Sequence, residues 1–412
     1  MNDIFKQPTG LVIKEVTRTL GKGTKILYVN DFFKHAGAEH AMHDIANAAL
    51  KSGYQAYFAT TSRAREPNHF TIPAIHGRAR FFLLRRTVFF NADPIAIKKF
   101  NAILRTLKPD IVHCHNLYHI SPGIIEQAVK SSTACIVTFH EFWPICMNRT
   151  MLIHNLKPCM QNDWSNCASK CRRRKIELLL KPFVGRGFQK RRELLLKDGA
   201  TLVSVSNFIK KTLARFGYPK ERIEVIPNGV DTTYFTPPHK DLERRSVLYV
   251  GRGVESKGIF DFIKIARIYQ KKYGKKLEFV AIGTGIESKI VKSIRWIPRS
   301  ELLHYYRRAL AFLQLQYVPP GTGLAPLESM ACATPVVAYA VPGVEEYLTD
   351  GIDSYLAEPG NLDNVADVLE NLRQNPEKSQ IMGIKARERV EKFFSITENT
   401  RRYLELYSKV YQ

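Results

Sequence analysis

The hydrophobic positions of this chain fall into short unbroken runs separated by stretches with helical spacing. KILYVN (25–30), QAYFATT (55–61), DIVHCHN (110–116), ACIVTFH (134–140) and ATLVSVS (200–206) are the runs of the first half. SVLYVG (246–251), LEFVAIG (277–283), AFLQLQ (311–316) and PVVAYA (335–340) are those of the second. Between them, apolar residues recur at the helical period around 38–51, 122–131, 207–216, 258–273, 300–309 and 326–333. Strands that are apolar on both faces, with helices between them, predict parallel sheets joined by crossover helices. The plan occurs twice, so the expected fold class is α/β, with two Rossmann-like, doubly wound domains facing a cleft. VIPNGVD (225–231) breaks both periods and marks the join. Residues 1–222 and 223–391 are the expected domains. The last helical stretch, from about 376, is expected to cross back, with 392–412 packing on the first domain. Such sheets hold ligands at the carboxyl ends of their strands, which places the site in the cleft.

Length and charge sharpen this picture. At 412 residues the chain exceeds one ordinary core, as the doubled plan requires. It contains no apolar run of about 18 residues, so no spanning helix is expected. The N-terminal MNDIFKQPTGLVIKEV lacks the long apolar core of a secretory signal, and the seven cysteines are expected to stay reduced in the cytosol. The net charge is +24, from 62 basic and 38 acidic residues. Residues 1–200 carry 31 basic and 14 acidic residues, a surplus of 17 against 7 in the remainder. The first half therefore suits an anionic partner: a membrane surface, a phosphorylated acceptor or nucleic acid.

Three small-residue turns join predicted strands to predicted helices. HAGAEH (35–40) places Gly37 at the first, beside a His35 read as solvated. GRGVESKG (251–258) brings Arg252 and Lys257 between glycines. PPGTGLAPLESMACATPVV (319–337) sets Gly321, Thr322, Gly323 and Leu324 ahead of the acid Glu328. Glycine lets a ligand approach the backbone, a helix N-terminus favours an anion, and two cations can clamp a diphosphate. His140 and Glu141 end one strand, while His113 and His115 lie two apart on another, one read as core and His115 as a cleft residue. No D-x-D sequence occurs, so a divalent metal held by paired carboxylates is not expected.

AGAEH, VHCHN, TFHEFW, SVSNFIK, IPNGVD, GRGVESKG and GTGLAPLESMACATPVV, in that order, resemble the retaining GT-B glycosyltransferases of the large group 1, or family 4, type. The resemblance covers about residues 24–400 and implies the GT-B fold and a nucleoside diphosphate sugar, UDP- or GDP-linked, as donor. It implies that Arg252 and Lys257 bind the donor diphosphate. The Gly321–Thr322–Gly323 turn and Leu324 face phosphate and sugar, Glu328 takes the nucleotide ribose, and His140 stands near the transferred sugar. It further implies retention of anomeric configuration, with no cofactor required. The expected activity is transfer of a hexose to a lipid-linked or polysaccharide acceptor in cell-envelope glycan synthesis, at the inner face of the membrane. The chain departs from the family at position 320, where Pro320 replaces a glutamate that faces the sugar. That departure supports a second reading, a non-catalytic sugar-nucleotide-binding partner of a glycan assembly complex.

Two further features stand outside the resemblance. Cys146, Cys159, Cys167 and Cys171 form a candidate structural zinc site, against the alternatives of scattered reduced thiols, an iron–sulfur cluster or disulfides. The stretch 172–197 holds ten basic and two acidic residues around two Leu triplets. It reads as a basic amphipathic helix for an anionic lipid surface, with Arg172, Arg173, Arg174, Arg191 and Arg192 on headgroups and Leu178, Leu179, Leu194 and Leu195 inserted. RARFFLLRRTVFF (78–90) adds arginines and phenylalanines to the same reading. A nucleic-acid-binding protein with a zinc module is the remaining and least favoured alternative, since no RNA-binding motif accompanies these stretches.

Overall fold

The computed structural model describes residues 21–33, 37–63, 65–73, 91–146, 148–153, 156–159, 161, 181–238, 242–318 and 321–411, with 181–185 as backbone only. Two wholly parallel sheets form the frame. The first contains β1 (Lys25–Asn30), β2 (Gln55–Thr60), β3 (His69–Thr71), β4 (Ile111–Cys114), β5 (Ala134–Phe139), β6 (Ala200–Ser204) and β7 (Ile223–Val225), in the order β3-β2-β1-β4-β5-β6-β7. The second contains β8 (Ser246–Val250), β9 (Glu278–Ile282), β10 (Val291–Ile294), β11 (Ala309–Gln314), β12 (Val336–Tyr339) and β13 (Ser354–Ala357), in the order β10-β9-β8-β11-β12-β13. In each, the order reverses beside the first strand, β1 or β8, and opens a crevice at the carboxyl ends.

The two faces of the first sheet carry separate cores. Ile26, Tyr28, Phe58 and Ile136 pack under α1 (Gly37–Lys51) together with Tyr403, Leu406 and Tyr407 of the C-terminal helix. Leu27, Val29, Val112 and Val137 form the other core with α2 (Pro94–Leu107), α3 (Gly123–Lys130) and α5 (Asn207–Arg215). Helix α4 (Lys181–Leu195) closes the same side through Leu195. Local signals set several boundaries: Asp93 caps α2 by accepting from Ile95 N at 2.9 Å, Pro94 opens it, and Ser206 caps α5 through Ile209 N at 3.1 Å.

The second sheet is wrapped by α6 (Ile259–Tyr273), α7 (Arg299–Arg308), α8 (Leu324–Ala331), α9 (Leu362–Gln374) and α10 (Pro376–Phe393) around one continuous core. The expected single C-terminal helix is two: α10 ends at Phe393, and α11 (Ile396–Val410) restarts under a Ser395 cap and lies on α1. Because β7 is the edge strand of the first sheet, that domain runs past residue 222, and the chain leaves it at Ile226. The return crossing touches the outward one. Val230 N donates to Phe394 O at 2.8 Å, and Ile396 N donates to Val230 O at 2.8 Å. A Cβ on Gly229 would fall 2.7 Å from Asn399 Cβ and 2.8 Å from Ile396 Cα, so only glycine lets the two crossings meet.

Among the described residues no helix is long and apolar enough to cross a membrane. The expected lipid face of α4 is overturned where it is described. Arg191 is 1% exposed, donates to the Trp143 carbonyl and to Asn91 Oδ1 (3.3 Å), and lies 4.7 Å from the Phe188 ring centroid. Arg192 donates to Phe216 O at 3.0 Å, and Leu194 and Leu195 are buried. These side chains fasten α4 to the first domain and are unavailable to lipid. Residues 172–180 and 78–90 lie outside the described residues.

Candidate active site in the inter-domain cleft

Arg252 and Lys257 stand on the turn leaving β8, held by glycines and a tyrosine. A Cβ on Gly253 would lie 2.2 Å from the Thr284 carbonyl oxygen. Gly258 has φ +80°, and a Cβ there would meet Leu315 O at 2.0 Å, so the turn folds tightly against the strand-end loops. Below it, Tyr249 OH donates to the carbonyls of Arg252 (3.1 Å) and Lys257 (3.2 Å). Lys257 Nζ donates to Gln316 Oε1 at 2.9 Å, beyond the end of β11. Burial first and then Arg252 pull the Lys257 ammonium down, Glu141 opposes both, and the net value is about 8.

Glu141 belongs to the first domain, so the cations of the second domain face the end of β5. Its carboxylate pairs with Arg149 Nη1 at 3.0 Å. Burial raises the Glu141 carboxyl, while Arg149, Arg252 and Lys257 lower it. Beside it, His140 Nε2 lies 2.8 Å from His115 Nδ1, one nitrogen donating and the other accepting. His115 stacks on His113 at 4.3 Å. His113 in turn is fixed by Tyr407 OH (2.7 Å) and Thr138 Oγ1 (2.8 Å). Burial depresses all three imidazoles, His140 to about 4 and His113 to about 3, so they are neutral at pH 7. His115 is thus fully buried behind His140, and its Nε2 and His140 Nδ1 have no hydrogen-bond partner among the described residues.

The 321–323 turn docks on the first domain. A Cβ on Gly321 would sit 2.4 Å from Val205 Cγ2 and 3.6 Å from His140 O. Thr322 Oγ1 donates to Val205 O (2.9 Å) and accepts from Asn228 N (2.9 Å), while Asn228 Nδ2 donates to Thr322 O (2.7 Å). The Thr322 hydroxyl therefore serves as a latch between sheet and linker. Gly323 caps α8, and Leu324, its first residue, is buried.

Glu328 lies in the second turn of α8, which starts two residues before the expected 326, and is 3% exposed. Its Oε1 accepts from Arg299 Nε at 2.6 Å and its Oε2 from Tyr306 OH at 2.9 Å. Burial raises this carboxyl and Arg299 lowers it. Arg299 Nη1 also donates to both oxygens of Asp44 on α1, at 3.0 and 2.7 Å. Sequence reasoning missed Arg299, Asp44, Tyr306, Gln316 and Arg149. The Lys257–Gln316 and Arg299–Asp44 contacts join residues 59 and 255 positions apart, which no local pattern reveals.

Of the remaining expected residues, some are placed by the structure and the others lie outside the described residues. A Cβ on Gly37, the first residue of α1, would meet nothing within 4 Å. His35 and Pro320 lie outside the described residues. Cys146 is buried in the first-domain core and Cys159 packs against that core. Cys167 and Cys171 lie outside the described residues, among which no group of three or more His, Cys, Asp or Glu could hold a metal.

A cation pair, a buried carboxylate and neutral imidazoles around one cleft suit a ligand with a diphosphate, a diol and a sugar. The chain is 31% identical over 186 residues to trehalose synthase of Pyrococcus horikoshii, covering 40% of this chain and 44% of that protein. It is 24% identical over 254 residues to the O-antigen chain mannosyltransferase RfbU of Salmonella typhimurium, covering 59% and 65%. The chain thus spans between about half and two thirds of these relatives' lengths. The fold matches that of HepE of Anabaena in complex with UDP and glucose, with a TM-score of 0.67 at 15% identity over 93% of this chain and 99% of that one. Residues 35–234 match the family described as Glycosyltransferase Family 4 and residues 231–389 the family described as Glycosyl transferases group 1; the chain belongs to these GT-B glycosyltransferases.

Proposed function

We propose that this protein transfers a hexose from a UDP- or GDP-sugar to a lipid-linked or polysaccharide acceptor, with retention at the anomeric carbon and without a divalent metal. The carrying observation is that Arg252 and Lys257 of the second domain lie near enough to Glu141 of the first, the residue after His140, for their charges to lower its carboxyl. In this reading the bond from the anomeric carbon to the diphosphate breaks, one to the acceptor oxygen forms, and the acceptor hydroxyl's proton passes to the departing diphosphate. Negative charge grows on the departing diphosphate, where a cation at about 4 Å and an effective dielectric near 20 contributes about 4 kcal/mol. The neutral His140 faces the sugar, and Glu328 accepts from the nucleotide ribose. A glycan acceptor of the cell envelope is supported by the likeness to an O-antigen mannosyltransferase and by the basic first half. The same charge supports peripheral attachment to the anionic inner face of the membrane. The domain roles follow: acceptor on the first domain, nucleotide on the second.

Pro320, in place of the sugar-facing glutamate, favours one other reading, a non-catalytic sugar-nucleotide-binding partner. Both readings require a nucleoside diphosphate site. Arg252→Ala and Lys257→Ala are each expected to weaken UDP or GDP binding at least tenfold in calorimetry, and Glu328→Gln to weaken it several-fold. Wild-type affinity in all three variants would remove the site. Elemental analysis of anaerobically purified protein decides the cysteine cluster: about one zinc per chain, lost in a Cys159→Ser/Cys171→Ser variant, supports a structural zinc, and none supports free thiols.

A further inference from the structure

The buried guanidinium of Arg299 does more than neutralise Glu328. Its Nε holds one oxygen of Glu328 and its Nη1 chelates both oxygens of Asp44, which belongs to the other domain. The group lies 5.4 Å from the Phe235 ring centroid, and its Nη2 is buried with no hydrogen-bond partner among the described residues. A guanidinium carries five N–H donors in a rigid fork, so it can serve two carboxylates and still offer a third direction; an ammonium cannot reproduce that geometry. Glu328, with one donor on each oxygen, keeps about two of its roughly four acceptor positions open. A carboxylate with open acceptor positions beside an unpartnered donor is complementary to a vicinal diol, whose hydroxyls both donate and accept.

We propose that Asp44 and Arg299 are nucleoside-recognition determinants: Arg299 Nη2 donates to the ribose diol that Glu328 accepts from, and Asp44 positions the guanidinium from the first domain. The inference rests on the donor site proposed above and adds to it the discrimination of ribose from deoxyribose and a dependence of nucleotide affinity on the acceptor domain. Tyr306 completes the set by fixing the second oxygen of Glu328. Asp44 is the positioning residue here, since it reaches the nucleoside only through Arg299.

The test compares UDP or GDP with its 2′-deoxy and 3′-deoxy counterparts and with inorganic pyrophosphate, by competition calorimetry on the full chain. Wild type is expected to favour the ribose form at least tenfold over either deoxy form. Arg299→Lys should lose most of that preference while binding pyrophosphate as wild type does, and Asp44→Asn should lose part of it, three- to tenfold. Retention of pyrophosphate binding separates a lost nucleoside contact from a damaged fold, and if Arg299→Lys does not fold, the isosteric Asp44→Asn decides alone. An unchanged ribose preference in Asp44→Asn and in any folded Arg299→Lys overturns the inference and leaves the donor site standing. Failure of wild type to bind any nucleoside diphosphate overturns the donor site itself.

Discussion

Lys257 is the cation whose charge is most sensitive to conditions. Its ammonium is held down to about 8 by burial and by Arg252, so the free protein loses that charge as pH rises through 8. A bound diphosphate stabilises the charged form, and the two effects set a sign: nucleoside diphosphate affinity falls between pH 7 and pH 9. Lys257→Arg, permanently charged, is expected to flatten that limb in calorimetry; an equal slope in wild type and variant would contradict the assignment. His140, neutral down to about 4, contributes no acidic limb above pH 5. The places of Arg252, Lys257, His140 and Glu328 beside strands and helices were legible in the sequence because each is set by its own strand–turn–helix segment, while their roles toward a donor belong to the proposed function. Arg299 and Asp44 were not, since a 255-residue separation leaves only the folded chain to join them. The side-chain task of Thr322 was not legible, because its partners, Val205 and Asn228, belong to distant elements.

At the scale of elements, the C-terminal helix α11 is part of the first domain's core and also of the histidine stack. Tyr407→Phe removes the hydroxyl that pairs His113 Nδ1 and leaves a buried ring nitrogen unsatisfied, which costs about 1–3 kcal/mol. Equilibrium denaturation should show that loss; a midpoint equal to wild type would mean that water or His115 compensates. The central strands were readable because they are apolar on both faces. The edge strands β3 and β7 were not, at three residues each and only partly buried. Helix α2 was not among the predicted helices, although it carries its signals openly, with an Asp93 cap, Pro94 and buried Ala96, Phe100, Ile103, Leu104 and Leu107 at helical spacing. Helix α4 misled in the other direction. Its basic and leucine-rich composition matched a lipid surface, yet Arg191 spends its donors on Trp143 and Asn91 inside the fold. Composition cannot distinguish a buried arginine that solvates carbonyls from one that solvates phosphates.

In the molecule as a whole, two chain crossings at Val230 and Phe394–Ile396, the Thr322 latch and the Asp44–Arg299 pair join the domains. Gly229→Ala places a Cβ against the backbone of Ser395 and Ile396, which has little room to yield. About 1–3 kcal/mol of overpacking should appear as a lowered melting temperature, while a variant as stable as wild type would show that the crossings can separate freely. Together these contacts hold Arg252 and Lys257 of one domain near Glu141 of the other, the arrangement that the proposed transfer uses. Its most direct trial is turnover: purified protein, excess EDTA and a panel of UDP- and GDP-hexoses, with released nucleoside diphosphate measured for wild type and Arg252→Ala. Release from at least one donor in EDTA, reduced at least tenfold in Arg252→Ala, is the predicted result. No release from any donor despite tight nucleoside diphosphate binding, or release restored only by Mg²⁺ or Mn²⁺, would contradict a metal-independent transferase.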